Sequence, residues 1–240
     1  MDDTGLDTTR PVKLTLVSRL AEDVRRRILD GVMSPGEKIN LDAIRRDFGT
    51  SVSSVREAIG RLVIDGLVTF EDHRGYRVAP ISLAHLKEIT RLRAELEGMA
   101  LREAVAKGGV EWEINVMSAV YRLNRVTREA GNQASIKAWE AVHRTFHLAL
   151  IQHCEMPQLL QFCDVLHNQN DRYRRLFLQR SAGDRDVAAE HAAIAEAAVA
   201  HDADRASGLL VMHIERTGTN LLKRLQAQFA DPYNPADDAG

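Results

Sequence analysis

The chain has 240 residues, of which 45% are hydrophobic and 28% charged, a composition typical of soluble globular proteins and a length that suits two domains. The formal net charge of −2 argues against a protein that coats nucleic acid through bulk charge alone. No apolar run approaches the roughly 20 residues that a membrane-spanning helix needs, and the polar, acidic start is unlike a signal peptide. Cys154 and Cys163 fit no zinc or redox motif, so we expect reduced thiols in a cytoplasmic protein.

The first third of the chain, after residues 1–11, which we predict to be a disordered tail, has the pattern of three helices and a hairpin. Apolar residues at helical spacing predict helices at 15–31, 39–48 and 52–65, and the first would bury Leu16, Leu20, Val24 and Ile28. Two short strands are predicted at 67–70 and 76–78. This is the layout of a winged helix-turn-helix, so we expect residues 12–80 to bind double-stranded DNA. Lysine and arginine outnumber acidic residues by 13 to 10 between residues 10 and 80, which is compatible with phosphate contacts.

The residues of this segment also resemble a known family. The run PGEKINLDAIRRDFGTSVSSVREAIGRLVIDGLV, followed by RGYRV, is similar to the DNA-binding domain of GntR-family transcriptional regulators. The resemblance implies DNA contacts from the recognition helix and the wing tip, through Ser51, Ser53, Ser54, Arg56, Arg74 and Gly75. Many family members carry an arginine where this chain has Val52, and valine cannot make a bidentate contact to guanine, so we expect a different operator. Arg56 has a structural alternative, an ion pair with Glu57 or Asp65.

From Ser82 onward the pattern predicts helices only. Pro80 and Ile81 mark a hinge, and helices are predicted at 83–106, 111–130, 135–153, 158–180, from Asp184 or Asp186 to 201, and, after a cap at Asp202 or Asp204, at 205–229. The first of them would bury a stripe of Leu86, Ile89, Leu92, Leu96 and Met99. We therefore expect a mainly α fold, in which an all-helical bundle of six or seven helices over residues 81–229 follows the DNA-binding domain and ends in a frayed tail, 230–240.

Histidines recur along this helical region. His143 and His147 are four residues apart and so lie on one face of a helix, and His191 and His213 lie on later predicted helices. Imidazole is a ligand for zinc, nickel, copper and iron, so convergence of the four would make a metal site, although two partly exposed histidines on one helix are common. His73 lies in the wing and is interpreted as a phosphate or solvent contact. The remaining histidines, without a partner at ligand spacing, are interpreted as surface or core residues: His85, His153, His167 and His201.

The helical region resembles the FCD domain, the FadR-type effector domain of one GntR subfamily, through LRAELEGMA, FHLAL, EHAAIAEAA and MHIERT. The resemblance implies that a divalent metal, zinc first and nickel next, is held by His143, His147, His191 and His213. Family members carry a carboxylate where this chain has His143, and the nearest carboxylate here is Glu140. A histidine at this position, together with the WE pair at residues 112–113, is similar to the glutarate and carbon-starvation regulators. Each histidine has an alternative role as a buried residue bonded to a backbone carbonyl.

Four neutral imidazoles leave the full charge of a divalent cation uncompensated, which favours an anionic effector. We predict a small carboxylate that binds the metal with one end, while Arg93 and Arg172 hold the other end. Arg93 has an alternative partner in Glu97, four residues further on, and Arg172 has the alternative of an ordinary solvated charge.

These expectations combine into a repressor that binds a pseudo-palindromic operator as a homodimer and changes its DNA affinity when the effector binds, with Pro80 as the hinge. Two alternatives stay open. A hydrolase could use a metal and Glu140 or Asp164 to activate water, although no HExxH motif, nucleophile elbow or phosphate loop occurs. In the other alternative the metal is purely structural or is itself the sensed species.

Overall fold

The computed structural model describes residues 15–129, 131–178 and 186–230, and the chain divides into two compact units between Ala79 and Pro80. The predicted tail at 1–11 and the possible helix start at Asp184 lie outside the described residues. So does the predicted tail at 230–240, except Ala230, which is the last residue of a helix. The predicted fold class is confirmed, because a unit of three helices and a hairpin precedes a unit built from helices.

The first unit contains α1 (Leu16–Leu29), α2 (Leu41–Phe48), α3 (Val52–Ile64), β1 (Val68–Glu71) and β2 (Gly75–Val78). The two strands are antiparallel, and Val68 pairs with Val78. The helices and the hairpin close over an apolar core that includes Leu20, Val24, Ile28, Ile44, Val55, Ile59, Leu62 and Leu67. The predicted burial of Leu16 is wrong: its side chain is 41% exposed, because the buried stretch of α1 begins one turn later, at Leu20.

Side-chain caps fix where α2 and α3 begin. Asn40 Oδ1 accepts a hydrogen bond from the backbone N–H of Ala43 at 3.0 Å, and Ser51 Oγ accepts one from the N–H of Ser54 at 3.1 Å. Gly49 ends α2 with φ of 57°, in the left-handed region that favours glycine. The tight turn between the two helices is therefore specified locally by Gly49 and Ser51.

The second unit contains α4 (Leu83–Lys107), α5 (Val110–Arg125), α6 (Gln133–Ile151), a 3₁₀ turn (Gln152–Cys154), α7 (Pro157–Leu178), α8 (Val187–Val199) and α9 (Ala203–Ala230). Helix α5 ends before the predicted residue 130, because Val126 has an extended backbone. Asp186 caps α8 and Asp202 caps α9 through their side chains, as predicted. Among the helices described, none has both the length and the apolar composition of a membrane span.

Helix α4 packs against both α7 and α9 and buries charged as well as apolar residues. The predicted apolar stripe is wrong at Leu92 and Met99, which are 42% and 48% exposed. Arg93 and Glu97, which each directly follow a residue of the expected stripe, are buried instead. The reason is that α4 is covered on more than one side, so a single stripe does not describe its buried surface.

Close packing of α9 on α4 depends on small residues. Ser207 Oγ donates a hydrogen bond to the carbonyl of Gly98 at 3.1 Å. A Cβ atom at Gly218 would lie 2.3 Å from the side chain of Thr90, so a larger residue at that position would push the helices apart. These two helices form one wall of the site described next.

Candidate metal centre

Four buried histidines from three helices converge in the second unit. Helix α6 contributes His143 and His147, α8 contributes His191, and α9 contributes His213. One ring nitrogen of each lies within 4.8 Å of the corresponding nitrogens of the others, and the four residues are no more than 6% exposed. The structure thus brings together the four histidines that the sequence analysis singled out.

Burial keeps the imidazoles of His143 and His147 neutral. It lowers the pKa of His147 to about 3, and together with the Arg174 guanidinium it lowers the pKa of His143 well below the ordinary value. Both ring nitrogens of His147 lack a hydrogen-bond partner among the described residues. An unsatisfied buried nitrogen is unfavourable, and a divalent cation would accept its lone pair. A neutral, all-imidazole donor set therefore fits zinc or nickel.

Two of the histidines have a carboxylate beside one ring nitrogen. Glu190 Oε2 lies 2.8 Å from His213 Nδ1, and Glu97 Oε2 lies 3.7 Å from His147 Nδ1. The hydrogen bond with Glu190 fixes the tautomer of His213, as is common for histidines that bind metals, whereas Glu97 is too far from His147 for a hydrogen bond and acts on it only through its charge. Burial alone would raise the pKa of Glu97, but the charge of Arg93 and the neighbouring His147 outweigh burial and hold the pKa well below its usual range. Glu97 is therefore an anion inside the helical core.

The two arginines predicted to bind an effector have partners of their own. Arg93 Nε donates to Glu97 Oε1 at 2.7 Å, so the ion pair considered as an alternative does form, in the core rather than on an exposed helix face. Arg172 is 4% exposed, so the alternative of a solvated charge is wrong. Its Nη2 donates to the carbonyl of Pro80 at 2.8 Å, while its buried Nη1 has no hydrogen-bond partner in the described part of the chain.

Helix α7 contacts both the histidines and the first residues of the unit. The four consecutive residues 171–174 are all buried. Tyr173 Oη accepts a hydrogen bond from the backbone N–H of Ser82 at 3.2 Å and lies 2.8 Å from His85 Nδ1, next to the bond between Arg172 and Pro80. The turn 171–174 therefore contacts the histidine cluster through Arg174 and the start of the unit through Arg172 and Tyr173.

Sequence reasoning missed Arg174, which lies directly against the histidine cluster. Its Nη1 is 2.6 Å from His143 Nδ1, and its Nη2 is 2.9 Å from Asp171 Oδ1. Glu140 faces Arg174 and Arg175, and burial raises the pKa of Glu140 in spite of these two guanidinium groups. A dense charged run such as DRYRR usually indicates a solvent-facing side, so the sequence carried no signal that these residues are buried.

The other histidines lie outside the four-residue cluster. His167 is a core histidine, 3.8 Å from Glu97 Oε1, and its ring centre lies 5.6 Å from that of His147. His85 bonds to the tyrosine hydroxyl described above, and His201 Nδ1 lies 3.0 Å from the carbonyl of Val105. His73 and His153 are exposed.

The predicted DNA-contacting residues lie at the start of α3 and at the hairpin turn. Ser51, Ser53 and Arg74 are exposed, Ser54 is half-buried, and Gly75 has φ of 76°. Ser51 also caps α3, and Arg74 Nη1 lies 3.2 Å from Glu71 Oε2. These positions form a polar surface at the first turn of α3 and a second one at the turn of the hairpin.

Arg56 is exposed and, within the described ranges, forms neither of the ion pairs considered for it. Glu57 pairs with Arg61 at 2.9 Å, and Asp65 pairs with Arg25. Both candidate carboxylates are thus engaged by other arginines, which leaves the Arg56 guanidinium available to another molecule.

The carboxylates on which a hydrolase would depend are engaged as well. Glu140 lies in ion pairs with Arg174 and Arg175, and Asp164 pairs with Arg144. Neither is positioned as a base on the histidine cluster, because each is held in an ion pair with a guanidinium instead.

Comparison with known proteins identifies both units. Residues 16–78 match the family described as "Bacterial regulatory proteins, gntR family", and residues 88–216 match the FCD domain. The chain is 34% identical over 203 residues to the uncharacterized HTH-type transcriptional regulator BphR of Paraburkholderia xenovorans, covering 84% of this chain and 83% of that protein. It is 31% identical over 195 residues to the HTH-type transcriptional repressor GlaR of Escherichia coli, covering 80% and 89%. The solved structure of E. coli McbR/YncC has a similar fold, with a TM-score of 0.74, 21% identity, and coverage of 89% of this chain and 100% of that one.

Proposed function

The chain belongs to the gntR family of bacterial regulatory proteins and has an FCD domain, and from this premise we propose a repressor controlled by a small anion that binds beside a divalent cation. The family makes it a DNA-binding transcriptional regulator rather than an enzyme. The proposal is that a cytoplasmic homodimer represses transcription until a small carboxylate binds in the second unit. The relative GlaR, described as a repressor, supports the sign of the response.

We propose that DNA is contacted by Ser51, Ser53, Ser54 and Arg56 at the start of α3, with Arg74 and Gly75 on the adjoining backbone. The exposure of Arg56 and the engagement of its neighbouring carboxylates support a base or phosphate contact from this side chain. Two copies would place two recognition helices about one helical turn apart on the duplex. Selection from a random duplex pool should recover paired half-sites with that spacing, whereas a single unpaired site would argue against the dimer.

We propose that His143, His147, His191 and His213 hold one divalent cation, zinc or nickel. The observation that carries this proposal is the convergence of four buried ring nitrogens from three helices. The ion would supply two positive charges that neutral imidazoles leave uncompensated, and this charge would attract an anion.

A small carboxylate is the effector that this charge distribution favours. Arg172 offers a buried Nη1 without a hydrogen-bond partner among the described residues. Arg93 is already bonded to Glu97, and turning to an anion would take this partner away from Glu97. Arg93 could therefore bind an anion only while His147 and His167 remain beside Glu97. Both arginines are thus proposed partners for the effector, and Arg172 is the one with an N–H group that lacks a partner among the described residues.

Elemental analysis tests the metal site. We expect the purified wild-type protein to retain stoichiometric metal, and His147→Ala and His191→Ala to lose it while circular dichroism shows folded helices. His153→Ala, which removes an exposed histidine, is the matched control and should retain the metal. Full occupancy in both site variants would overturn the proposed site.

A thermal-shift screen of small dicarboxylic and hydroxy acids tests the effector. An acid that binds the folded protein raises the melting temperature by mass action. We expect such an increase in metal-loaded protein and none after treatment with EDTA, together with a change in operator affinity. If no acid changes the operator affinity of the metal-loaded protein, the metal is structural or is itself the sensed species.

A further inference from the structure

The four histidines of the proposed metal site do not have equivalent neighbours. His213 and His147 have the carboxylates of Glu190 and Glu97 beside their Nδ1 atoms, at 2.8 Å and 3.7 Å. His143 has a guanidinium there instead, since Arg174 Nη1 lies 2.6 Å from His143 Nδ1. A positive group therefore stands where a metal-binding histidine usually has a negative one.

The hydrogen bond between Arg174 and His143 defines the tautomer of the imidazole. Arginine has only N–H donors, so Nδ1 of His143 must be the acceptor. A neutral imidazole has one proton, which then resides on Nε2. In this state His143 has no lone pair to offer a cation, because Arg174 uses one nitrogen and the proton occupies the other.

We propose that Arg174 competes with the metal for His143, so that a cation is held by His147, His191 and His213 alone until Arg174 is drawn away. This inference rests on the proposed metal site. When Arg174 leaves, the ring proton can transfer from Nε2 to Nδ1 through water, with no change in net charge, and either nitrogen can become the ligand. His143 is then a conditional fourth ligand rather than a fixed one.

Several neighbours of Arg174 offer it other places to bind. Its Nη2 lies 2.9 Å from Asp171 Oδ1 and 3.5 Å from Glu140 Oε1, and its guanidinium lies 5.8 Å from the ring centre of Trp139. Its Nε has no hydrogen-bond partner among the described residues. A carboxylate that accepted a hydrogen bond from Nε would weaken the hold of Arg174 on His143. Anion binding and metal binding would then reinforce each other through one side chain.

A double-mutant cycle tests this competition. Zinc affinity is measured by competition with a chromophoric chelator for wild type, His143→Ala, Arg174→Gln and the double variant. We expect His143→Ala to weaken zinc binding less than about threefold in wild type but about tenfold or more in the Arg174→Gln background, as for loss of a group that supports a metal site. The cycle isolates the interaction between the two residues, since effects common to both backgrounds cancel.

The matched control is Arg175→Gln. Arg175 is the next residue on α7 and pairs with Glu140, so its loss removes the same charge from the same helix. In this background His143→Ala should have the small effect that it has in wild type. A large effect there would mean that any loss of positive charge recruits His143, and the specific role of Arg174 would be wrong.

Cobalt provides a readout that does not depend on affinity and that tests His143 even without a variant of Arg174. The visible absorption of bound Co²⁺ changes with the number and arrangement of its ligands. We expect His143→Ala to leave the cobalt spectrum of the otherwise wild-type protein unchanged, and Arg174→Gln to alter it. A changed spectrum in His143→Ala alone would show that His143 already binds the ion, and would overturn the proposal even if Arg174→Gln did not fold.

The possible failures are distinguishable. If Arg174→Gln weakens zinc binding, or if His143→Ala has equal effects in both backgrounds, Arg174 does not compete for His143, yet the metal site stands. If His147→Ala binds zinc as wild type does, the proposed metal site itself fails.

Discussion

The two units differ in what they bury. Within the described ranges, the buried polar and charged side chains all belong to the second unit, while the buried residues of the first unit are apolar. In the first unit the ion pair of Arg61 with Glu57 lies on an exposed face of α3. In the second unit the ion pair of Arg93 with Glu97 lies in the core.

This difference fits what each unit is proposed to bind. A surface that meets DNA phosphates needs exposed donors, so its core can be built from apolar residues alone. A site for a metal and a small anion gains strength from a low dielectric, but each buried charge must then have a partner. Apart from Ser51, which caps α3 and is also a proposed DNA contact, the residues that stabilise the first unit differ from those proposed to bind DNA. In the second unit the residues of the proposed site also contribute to stability.

The largest expected effect comes from breaking a buried ion pair in the second unit. Glu97→Ala leaves Arg93 buried without its partner, and we expect the free energy of unfolding to fall by about 3–5 kcal/mol. Urea titration followed by tryptophan fluorescence measures this unit alone, since Trp112 and Trp139 both belong to it. Glu103→Ala, which removes a surface partner of Lys107, should change the same quantity by less than about 1 kcal/mol. Equal losses in the two variants would contradict the contrast between core and surface.

Acid should weaken the second unit through its buried histidines. Burial holds the pKa of His147 at about 3 in the folded protein, below the value near 6.5 of an unfolded chain. On acidification the unfolded chain binds a proton at His147 before the folded protein does. The contribution of His147 to the free energy of unfolding is therefore intact above about pH 6.5 and is lost as the pH falls towards 3. At about 1.4 kcal/mol per pH unit, His147 accounts for about 2 kcal/mol between pH 6.5 and 5 in metal-free protein.

Urea titrations of the EDTA-treated protein at several pH values check this dependence. His147→Gln should flatten the decrease in unfolding free energy on acidification. His201→Gln is the control of opposite sign, because hydrogen bonding to Glu113 raises the pKa of His201. An unchanged pH slope in His147→Gln would mean that this histidine is not held neutral in the fold.

Arg56→Ala should affect DNA binding without affecting the second unit. We expect operator affinity to fall by about 1–3 kcal/mol and discrimination between sequences to relax, because an exposed arginine on the recognition helix is lost. Fluorescence anisotropy on a selected operator measures the affinity. Arg61→Ala lies on the same helix but removes a side chain bonded to Glu57 and Ser18, so its effect should be smaller. Unchanged affinity in Arg56→Ala would remove this residue from the DNA contact.

The smallest effect is expected at the cap of α3. Ser51→Ala removes the acceptor of the Ser54 N–H and should destabilise the start of the helix by about 1 kcal/mol. Hydrogen exchange of the α3 amides by mass spectrometry detects this change, with the exposed Ser53→Ala as the control. If Ser51→Ala weakens DNA binding while amide exchange stays the same, the hydroxyl contacts DNA and its capping role is minor.

The two units also differ in how much of their structure can be predicted from the sequence. Local signals determine the helices and turns of the first unit: Ser51 caps one helix, and Gly49 ends another. In the second unit the separation of four identified His143 and His147, because it is visible along a single helix, whereas His191 and His213 were added by the resemblance to the FCD domain. The burial of Arg174 could not be predicted in the same way, because its partner His143 lies on a different helix. Leu92 and Met99 were assigned to the core because an amphipathic pattern assumes that one side of a helix is covered.

The four consecutive buried residues of α7 have an evolutionary consequence. Each added or deleted residue rotates the following part of a helix by about 100°. A one-residue insertion within positions 171–174 would thus detach Tyr173 from Ser82 and Arg174 from His143 in one event. Mutational drift can alter the length of the segments beside α7 gradually, but this turn can change only by substitution. Natural variants of the protein should therefore preserve the spacing between these side chains even where their identities diverge.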